Sequence, residues 1–501
     1  MNKKLLLILV LALLLHLTVF SYVTQFLQTA FWDESENLLL GKSIAWTFMG
    51  KTLPTQEGIA PHREWGISMF YAPFFLLFGN EGVETVIRFV LMLVAVCGVY
   101  FAYIAVNEMF KGDKHQERYA LLSAFGMAIQ WTYLFFAPRF TMYIIAPFLF
   151  FLAVYFWWKY WNTKKLRYLV VSFLIQGLGM IIYYSTAFLV LIIGMYLISI
   201  NRRFYTDKNL WIAGGITLLA LMPYFIYSQI TYGAPIPRLS AVVAAGSYGE
   251  GGIQYLGGYI PVVASMLTLP FLVLFFIGLA VLYPVWLSLD IILKGKDEQK
   301  SKWLFVIYWL LVVFVLYSIS AYRQGVIYDA YLLIMFPALF LVCGAAVSFF
   351  YDLLESKVHR IAAVGFLLIF LLLGIFFQYN MALSTIDGKA RSFSEIQQAG
   401  YDLKIMTKPD EVSVSASVPQ LEYYSERRIT GIGRDETESV WEARVLPQHP
   451  KYLLLTRYEP HPAFMNDYTQ RKNMPLVKTY GQPDGTVMAA LFRFSDAVAN
   501  G

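Results

Sequence analysis

The sequence has few of the residues from which disulfide-rich or metal-dependent proteins are built. Its 501 residues include two cysteines, Cys97 and Cys343, and both lie inside apolar runs, so neither a disulfide framework nor a cysteine metal cluster is indicated. A Walker-type glycine loop and a His-Glu-Xaa-Xaa-His motif are both missing, which argues against ATP hydrolysis and a zinc hydrolase. Charged residues make up 14% of the chain and are almost missing from the middles of apolar runs. Because ionisable residues are so scarce there, with His16 as the main exception, a proton-coupled transporter with a midplane relay is not favoured. We also expect no nucleic-acid partner.

Long apolar runs are what the chain has in excess. Hydrophobic residues make up 58% of the sequence and the mean hydropathy is +0.56, values typical of multispanning membrane proteins. Because basic residues flank the run 168–200 at both ends, this run is expected to cross the membrane twice, turning near Tyr183-Tyr184-Ser185. The sequence thus predicts an all-α polytopic membrane protein with about eleven transmembrane helices. The apolar runs are 5–24, 83–107, 119–137, 140–160, 168–200, 210–229, 261–293, 303–320, 330–352 and 361–379.

The distribution of basic residues sets the predicted orientation. Lys3 and Lys4 precede the first run and no small-residue cleavage site follows it, so we expect a retained helix with a cytoplasmic N-terminus. The predicted cytoplasmic segments carry most of the lysines and arginines, whereas the short outer loops carry Arg139, Arg238 and Arg323. The chain is therefore expected in the cell membrane as a multi-pass protein with its C-terminal part outside.

Composition changes abruptly after the last apolar run. We expect residues 1–379 to form the transmembrane module and residues 380–501 to form a small extracytoplasmic α/β domain. In that domain a helical segment is expected near 392–407, and strands are expected at 411–416, 451–456 and 487–494.

Two predicted outer loops are long. The first, from about 25 to 81, contains amphipathic stretches at 35–49 and 64–78, which we expect to form helices lying along the membrane interface. The second, about 231–260, is rich in glycine, a composition that suits either a lid over a site or a plain flexible connector.

Asp33 and Glu34 are the first candidate catalytic residues, because ionisable side chains at the membrane are costly and usually functional. One carboxylate can deprotonate an acceptor hydroxyl or amine while the other orients a neighbour or a bound ion. The alternative interpretation is an N-cap for a helix that begins near Glu36. A divalent cation is compatible with the pair, although two residues make an incomplete shell, and no other cofactor is predicted.

A second cluster, His62-Arg63-Glu64, precedes the second amphipathic stretch. The guanidinium of Arg63 offers paired donors and a permanent charge, which suit a phosphate. The alternative is a polar turn at the interface whose arginine contacts lipid headgroups.

Further outer-side residues are candidates for the same site. Arg323 is followed by Tyr328 and Asp329, while Arg88 opens the second span and Arg139 precedes the fourth. Each of these arginines could bind a ligand. The alternatives are a structural ion pair or a side chain that snorkels to the membrane interface.

The order of these features resembles the GT-C glycosyltransferases, and more narrowly the branch that contains protein O-mannosyltransferases and lipid A aminoarabinose transferases. The Asp-Glu pair of that branch is matched by Asp33-Glu34, and its His/Glu-Lys-Pro signature falls near His62-Arg63-Glu64. Leu77-Phe78-Gly79 matches the end of the following helix, and Arg88 matches the arginine that opens the second span. The run Tyr331–Pro337 is similar to the Tyr-Leu-Leu-Pro-Xaa-Xaa-Pro motif of the branch.

The chain departs from the pattern of this branch in two places. Arg63 and Glu64 stand where the signature has Lys and Pro. The turn at Pro138-Arg139 has no carboxylate, although some members place a second acidic residue there.

The resemblance implies transfer of a sugar, with inversion, from a polyprenyl-phosphate-linked donor to a protein, glycan or lipid acceptor at the outer membrane face. It implies Asp33 as the base and Glu34 as its orienting partner. Cations that stabilise the departing phosphate would be Arg63, Arg323 and Arg88. The further substrate-binding candidates are His62, Glu64, Tyr328 and Asp329.

Two other functional classes are compatible with the same features. A glycolipid flippase or transporter would share the many spans and the basic outer residues, but it would tolerate Asp33→Asn. A non-catalytic member of the fold could instead act as a scaffold for a glycosylation complex.

Overall fold

Long helices form most of the molecule, and a small mixed sheet follows them. The structure, a computed structural model, describes residues 2–25, 29–52, 65–201, 203–236, 252–287, 298–389 and 392–494. The helices before residue 390 are α1 (Lys3–Gln25), α2 (Trp32–Phe48), α3 (Trp65–Phe78), α4 (Val83–Met109), α5 (Gln116–Ile129), α6 (Trp131–Phe136), α7 (Ile145–Thr163), α8 (Leu166–Ile182), α9 (Phe188–Ile200), α10 (Lys208–Tyr232), α11 (Tyr259–Val281), α12 (Tyr283–Leu287), α13 (Glu298–Gln324), α14 (Phe336–Lys357) and α15 (Arg360–Lys389).

Helices alternate with strands in the C-terminal part. The predicted helix and the three predicted strands are confirmed as α16 (Ser394–Met406), β1 (Val412–Ser415), β3 (Tyr452–Thr456) and β5 (Val487–Arg493). Strands β2 (Arg428–Thr430) and β4 (Leu476–Gly481) were not expected from the sequence pattern. The strand order is β2-β1-β3-β5-β4, with β1 parallel to β2 and β3, and β5 antiparallel to β3 and β4. The remaining elements are α17 (Val418–Ser425), α18 (Glu438–Val445) and α19 (Met465–Arg471).

The helical part is that of a multi-pass membrane protein. Seven helical segments in the described part of the chain are long and apolar enough to cross a membrane. The predicted total of eleven crossings and the orientation of the termini stay predictions. The predicted turn near Tyr183-Tyr184-Ser185 is present, because α8 ends at Ile182, a 3-10 turn covers Tyr184–Ala187, and α9 begins at Phe188. That the run 168–200 crosses the membrane twice stays a prediction.

The apolar run 119–137 does not form one helix. It is interrupted at Gln130, whose backbone is extended and whose Oε1 accepts a hydrogen bond of 2.6 Å from the N–H of Tyr133. The N–H of Trp131 donates to Gln378 at 2.9 Å, so the groups released by the break are bonded. This break separates α5 from α6 and leads into the turn that carries Arg139.

Both helices expected in the first outer loop are present, as α2 and α3. Helix α2 packs against α3 and against α17 and is buried from Glu34 to Lys42. The position of both helices along the membrane interface stays a prediction. Gly41 allows the close approach of α2 and α3, since a Cβ there would lie 3.0 Å from the carbonyl oxygen of Ser68. Helix α3 ends at Phe78, followed by Gly79 at a φ of +68°.

The boundaries of the two parts follow the sequence less closely. Helix α15 continues to Lys389, so the change in composition near residue 380 falls within its last turns. The division at 379/380 stays a prediction. The proposed lid at 231–260 falls largely on residues 237–251, which lie outside the described ranges.

Candidate active site

Glu34 is a buried carboxylate held from two sides. Its exposed fraction is 1%, and its Oε2 accepts a hydrogen bond of 3.0 Å from the N–H of Phe31. The same oxygen lies 3.7 Å from Nη1 of Arg139, whose side chain is equally buried. Because α2 begins at Trp32 rather than near Glu36, both carboxylates lie in its first turn, where the helix dipole favours negative charge. Glu34 therefore caps the helix and forms an ion pair at the same time.

The guanidinium of Arg139 lies between two aromatic rings, 4.0 Å from the ring centroid of Phe31 and 4.7 Å from that of Phe135. Burial lowers the pKa of Arg139 to about 10, and the carboxylate of Glu34 opposes that shift. Arg139 is therefore still a cation at neutral pH, and the aromatic faces help to compensate for its lost hydration.

The turn that carries Arg139 is fixed by two other helices. Nη1 of Arg88 in α4 donates a hydrogen bond of 2.8 Å to the carbonyl of Pro138, and its guanidinium lies 4.0 Å from the ring centroid of Phe140. From α2, Nδ2 of Asn37 donates to the carbonyl of Phe140 at 3.3 Å. Arg88 and Asn37 thus hold both ends of the Pro138–Phe140 turn, which keeps Arg139 beside Glu34.

Polar atoms without a hydrogen-bond partner among the described residues cluster around this ion pair. They include Oε1 of Glu34, Nε of Arg139, the hydroxyl of Tyr71 and Oγ1 of Thr141, all of them buried. The ring of Tyr71 lies 6.4 Å from that of Phe140, at the turn just described. Because buried polar atoms in proteins are almost always hydrogen-bonded, these four atoms beside the ion pair are candidate contacts for a polar ligand.

Asp33 differs from its neighbour in being exposed. Tyr328, which precedes α14 by one 3-10 segment, lies close to both carboxylates. Burial, and then the charges of Asp329, Asp33 and Glu34, raise the pKa of the Tyr328 phenol. The structure therefore brings together Asp33 and Glu34 of the first outer loop and Tyr328 of a distant loop.

Several tyrosines surround Tyr328 and form what we call the tyrosine wall, defined as Tyr143, Tyr183, Tyr328 and Tyr331. The ring centroid of Tyr328 lies 5.5 Å from that of Tyr143 and 5.4 Å from that of Tyr331, and Tyr143 lies 5.8 Å from Tyr183. Tyr143 and Tyr183 are buried, whereas Tyr328 and Tyr331 are half-buried. The exposed parts of the last two offer ring faces and hydroxyl groups side by side, a combination that suits carbohydrate or phosphate groups.

A cavity of about 420 Å³ lies between the start of α4, α2 and the C-terminal domain. Arg88 lines it from the membrane module, so this residue contributes both to the cavity and to the Pro138–Phe140 turn. The other charged side chains around it include Lys42, Glu84, Lys404 and Glu426.

The remaining predicted site residues fall into two groups. Arg323 lies in the last turn of α13 and is exposed, and Asp329 accepts a hydrogen bond of 2.8 Å from the N–H of Ala330. His62, Arg63 and Glu64 lie outside the described residues. The roles expected for all of them stay predictions.

Sequence reasoning named Arg139 among the outer-side arginines but assigned it no role, and it did not select Tyr143 or Tyr183 as site residues. The scarcity of arginines on the predicted outer side was a signal for Arg139, but nothing in the sequence paired it with Glu34. Within the described ranges, no three His, Cys, Asp or Glu side chains converge to form a metal site. The described residues alone therefore do not supply a full protein shell for a divalent cation.

Comparison with known proteins bears on the fold. A family model described as dolichyl-phosphate-mannose-protein mannosyltransferase matches residues 63–227. ArnT from Cupriavidus metallidurans in the apo state is similar, with a TM-score of 0.66, 13% identity and 98% coverage of both chains. The same protein bound to undecaprenyl phosphate is similar with a TM-score of 0.65 and 12% identity, and the match covers 98% of both chains. The oligosaccharyltransferase of Archaeoglobus fulgidus, in complex with Zn and sulfate, is similar with a TM-score of 0.61 and 15% identity. This match covers 96% of this chain and 73% of that chain.

A search of curated proteins found no match. The structural likeness extends over nearly the whole chain at low identity, while the family model matches its N-terminal half in part. The predicted resemblance to the mannosyltransferase and ArnT branch is confirmed, and the chain has the fold of the GT-C glycosyltransferases.

Proposed function

We propose that the protein transfers a sugar from a polyprenyl-phosphate donor to an acceptor at the outer face of the membrane, with inversion. The observation that carries the proposal is the separation of the two adjacent carboxylates into a buried, ion-paired Glu34 and an exposed Asp33. The GT-C fold supports it, since a protein of the same fold has been solved with undecaprenyl phosphate bound. A family model named for dolichyl-phosphate-mannose chemistry supports it as well.

In the proposed reaction an acceptor oxygen or nitrogen attacks the anomeric carbon of the donor. The new bond forms as the bond from that carbon to the phosphate oxygen breaks, and the bonding electrons leave with the polyprenyl phosphate. The proton of the acceptor passes to the carboxylate of Asp33, which is the general base. Glu34 is paired with Arg139 and accepts from the N–H of Phe31, so its role is to orient the first turn of α2.

The leaving phosphate needs cations more than it needs an acid, because it is already a weak base. Arg88, Arg63 and Arg323 are the candidates for this role. Arg88 is supported by its place on the cavity wall beside the Pro138–Phe140 turn. His62, Glu64, Tyr328 and Asp329 are proposed to contact the substrates, with Tyr328 as the member of the tyrosine wall that lies close to Asp33.

The test is transfer of labelled sugar from polyprenyl-phosphate donors by purified protein in lipid, comparing the wild type with Asp33→Asn. We expect the amide to lower kcat at least 1,000-fold, on the order of the contribution of a general base and its charge. The matched control is Asp410→Asn, an exposed carboxylate of the C-terminal domain, which should leave transfer unchanged.

Equal transfer by the wild type and Asp33→Asn would remove Asp33 from the mechanism. Failure of the wild type to transfer any sugar, together with translocation of a labelled glycolipid that survives Asp33→Asn, would replace the proposal with a flippase. Retained binding of polyprenyl phosphate without either activity would indicate a scaffold.

A further inference from the structure

The C-terminal domain makes direct contact with the segment that leads into α2. The N–H of Ala30 donates a hydrogen bond of 2.9 Å to the hydroxyl of Tyr424, and both residues are buried. One residue earlier, Oγ1 of Thr29 donates to Oε1 of Gln397 at 3.2 Å. These bonds join the backbone just before the catalytic candidates to two helices, α16 and α17, of the C-terminal domain.

The same domain also holds α2 farther along its length. Nζ of Lys42 lies 2.5 Å from Oε1 of Glu426, and the other oxygen of that carboxylate lies 3.0 Å from Nζ of Lys404. Nδ2 of Asn80, in the turn between α3 and α4, donates to Glu426 at 2.9 Å. The side chain of Lys42 is 4% exposed and that of Glu426 12%, so this is a largely buried ion pair.

The two contacts flank the first turns of α2. Tyr424 binds Ala30, three residues before Asp33, and Glu426 binds Lys42, nine residues after it. Tyr424 and Glu426 themselves lie close together, at the C-terminal end of α17. A helix fixed at both points has little freedom to tilt or rotate. The position of Asp33 therefore depends on a domain that follows it in the chain by about 350 residues.

We propose that Tyr424 and Glu426 are positioning residues for the transfer reaction, and that the C-terminal domain acts as a clamp on the helix that carries Asp33. The inference rests on the proposed function for its effect on catalysis, and on the structure alone for its effect on α2. Positioning residues act on the turnover step and leave the binding of substrates nearly unchanged.

The first experiment compares Tyr424→Phe with the wild type in kinetics and in hydrogen exchange of the full-length protein in lipid. The phenylalanine keeps the ring but removes the hydroxyl that accepts from Ala30. We expect kcat to fall about tenfold, with KM for donor and acceptor within about twofold, because one buried hydrogen bond is lost. Exchange of the backbone amides of residues 30–36 should become about tenfold faster.

The matched control is Tyr468→Phe. Its hydroxyl donates to Glu442 at 2.9 Å inside the C-terminal domain, away from α2, so neither kcat nor exchange at residues 30–36 should change. If Tyr424→Phe fails to fold, Glu426→Gln provides the second test. Its control is Glu436→Gln, a carboxylate paired with Arg444 within the domain.

The outcomes are separable from those of the proposed function. Wild-type kcat in Tyr424→Phe would overturn the clamp, and so would a rise in KM without a fall in kcat. If the wild type shows no sugar transfer, the proposed function fails. Hydrogen exchange at residues 30–36 then decides by itself whether the C-terminal domain clamps α2. Faster exchange in Tyr424→Phe but not in Tyr468→Phe then supports the clamp, and equal exchange overturns it.

Discussion

Helices α2 and α3 follow each other in the first outer loop and show opposite relations between polarity and burial. Helix α2 carries Glu34, Glu36 and Lys42, yet all three are less than a tenth exposed. Helix α3 contains no Asp, Glu, Lys or Arg, yet Leu77 is 77% exposed and Met69 is 53% exposed.

The difference reflects the two environments that a membrane protein offers. Apolar side chains lose little by facing lipid, whereas a charged side chain needs a partner inside the protein. Glu34 has Arg139 and Lys42 has Glu426, so the polar helix is the one that the rest of the chain encloses. In this loop, charge indicates where the protein makes its specific contacts, and hydrophobicity does not.

The largest effect is expected at the buried pair that fixes the polar helix. Arg139→Met removes the cation and leaves the carboxylate of Glu34 buried without its charge partner. We expect a loss of about 3–5 kcal/mol in the free energy of unfolding, measured by thermal or denaturant unfolding in lipid or detergent.

The control for Arg139→Met is Arg118→Met, which breaks the half-exposed pair with Asp352 and should cost less than about 1 kcal/mol. The double variant Glu34→Gln/Arg139→Met should recover part of the loss, because it no longer buries an unpaired charge. An equal loss in Arg139→Met and Arg118→Met would mean that burial of the pair is not what matters.

A smaller effect is expected at Lys42, about three turns into α2. Lys42→Met removes one partner of Glu426, but Lys404 and Asn80 still bind that carboxylate, so we expect a loss of about 2 kcal/mol. Lys478→Met is the matched control, because its pair with Asp402 is exposed and should contribute less than about 1 kcal/mol.

Acid provides an independent test of the same contact. Burial raises the pKa of Glu426, but Lys42 and Lys404 outweigh it and hold that pKa below its usual value of 4.5. A depressed carboxylate pKa contributes stability that is present above the usual value and is lost as pH falls through the lowered one. The stability difference between the wild type and Glu426→Gln should therefore shrink below pH 4.5, and a constant difference down to pH 3 would contradict this assignment.

The smallest effect is expected on the exposed face of the apolar helix α3. Leu77→Ala should change the free energy of unfolding by less than about 0.5 kcal/mol, because this side chain packs little against the protein. Phe75, two residues earlier, is 2% exposed, and Phe75→Ala should cost about 3–5 kcal/mol. Similar losses from the two substitutions would remove the contrast between the faces of α3.

Much of the helical framework was predictable from short stretches of sequence. The run 168–200 was expected to turn near Tyr183, because basic residues flank it at both ends, and the structure breaks it there. The helix and strands of the C-terminal domain that have clear periodicity were also placed correctly. The break at Gln130 was not predicted, because hydropathy averages over the single polar side chain that caps α6.

The candidate site was predictable only in part. Asp33 and Glu34 were identified as a pair, and Arg88 was expected nearby, which its contact with the Pro138 carbonyl supports. The pairing of Glu34 with Arg139 was missed. Some members of the related branch have an acidic residue at the Pro138-Arg139 turn, where this chain has an arginine. The role of that arginine became clear only when the structure placed it beside Glu34.

The sequence by itself determined that this is a multispanning, mainly helical membrane protein. Hydropathy and flanking charge are properties of about twenty consecutive residues, so they can be evaluated without knowing any tertiary contact. Only the tertiary structure decided which carboxylate is buried and which is exposed. It also decided that the C-terminal domain holds α2, through a Lys42–Glu426 contact that spans 384 residues of sequence. The burial of a charged side chain depends on what packs against it, and those partners lie far away in the chain.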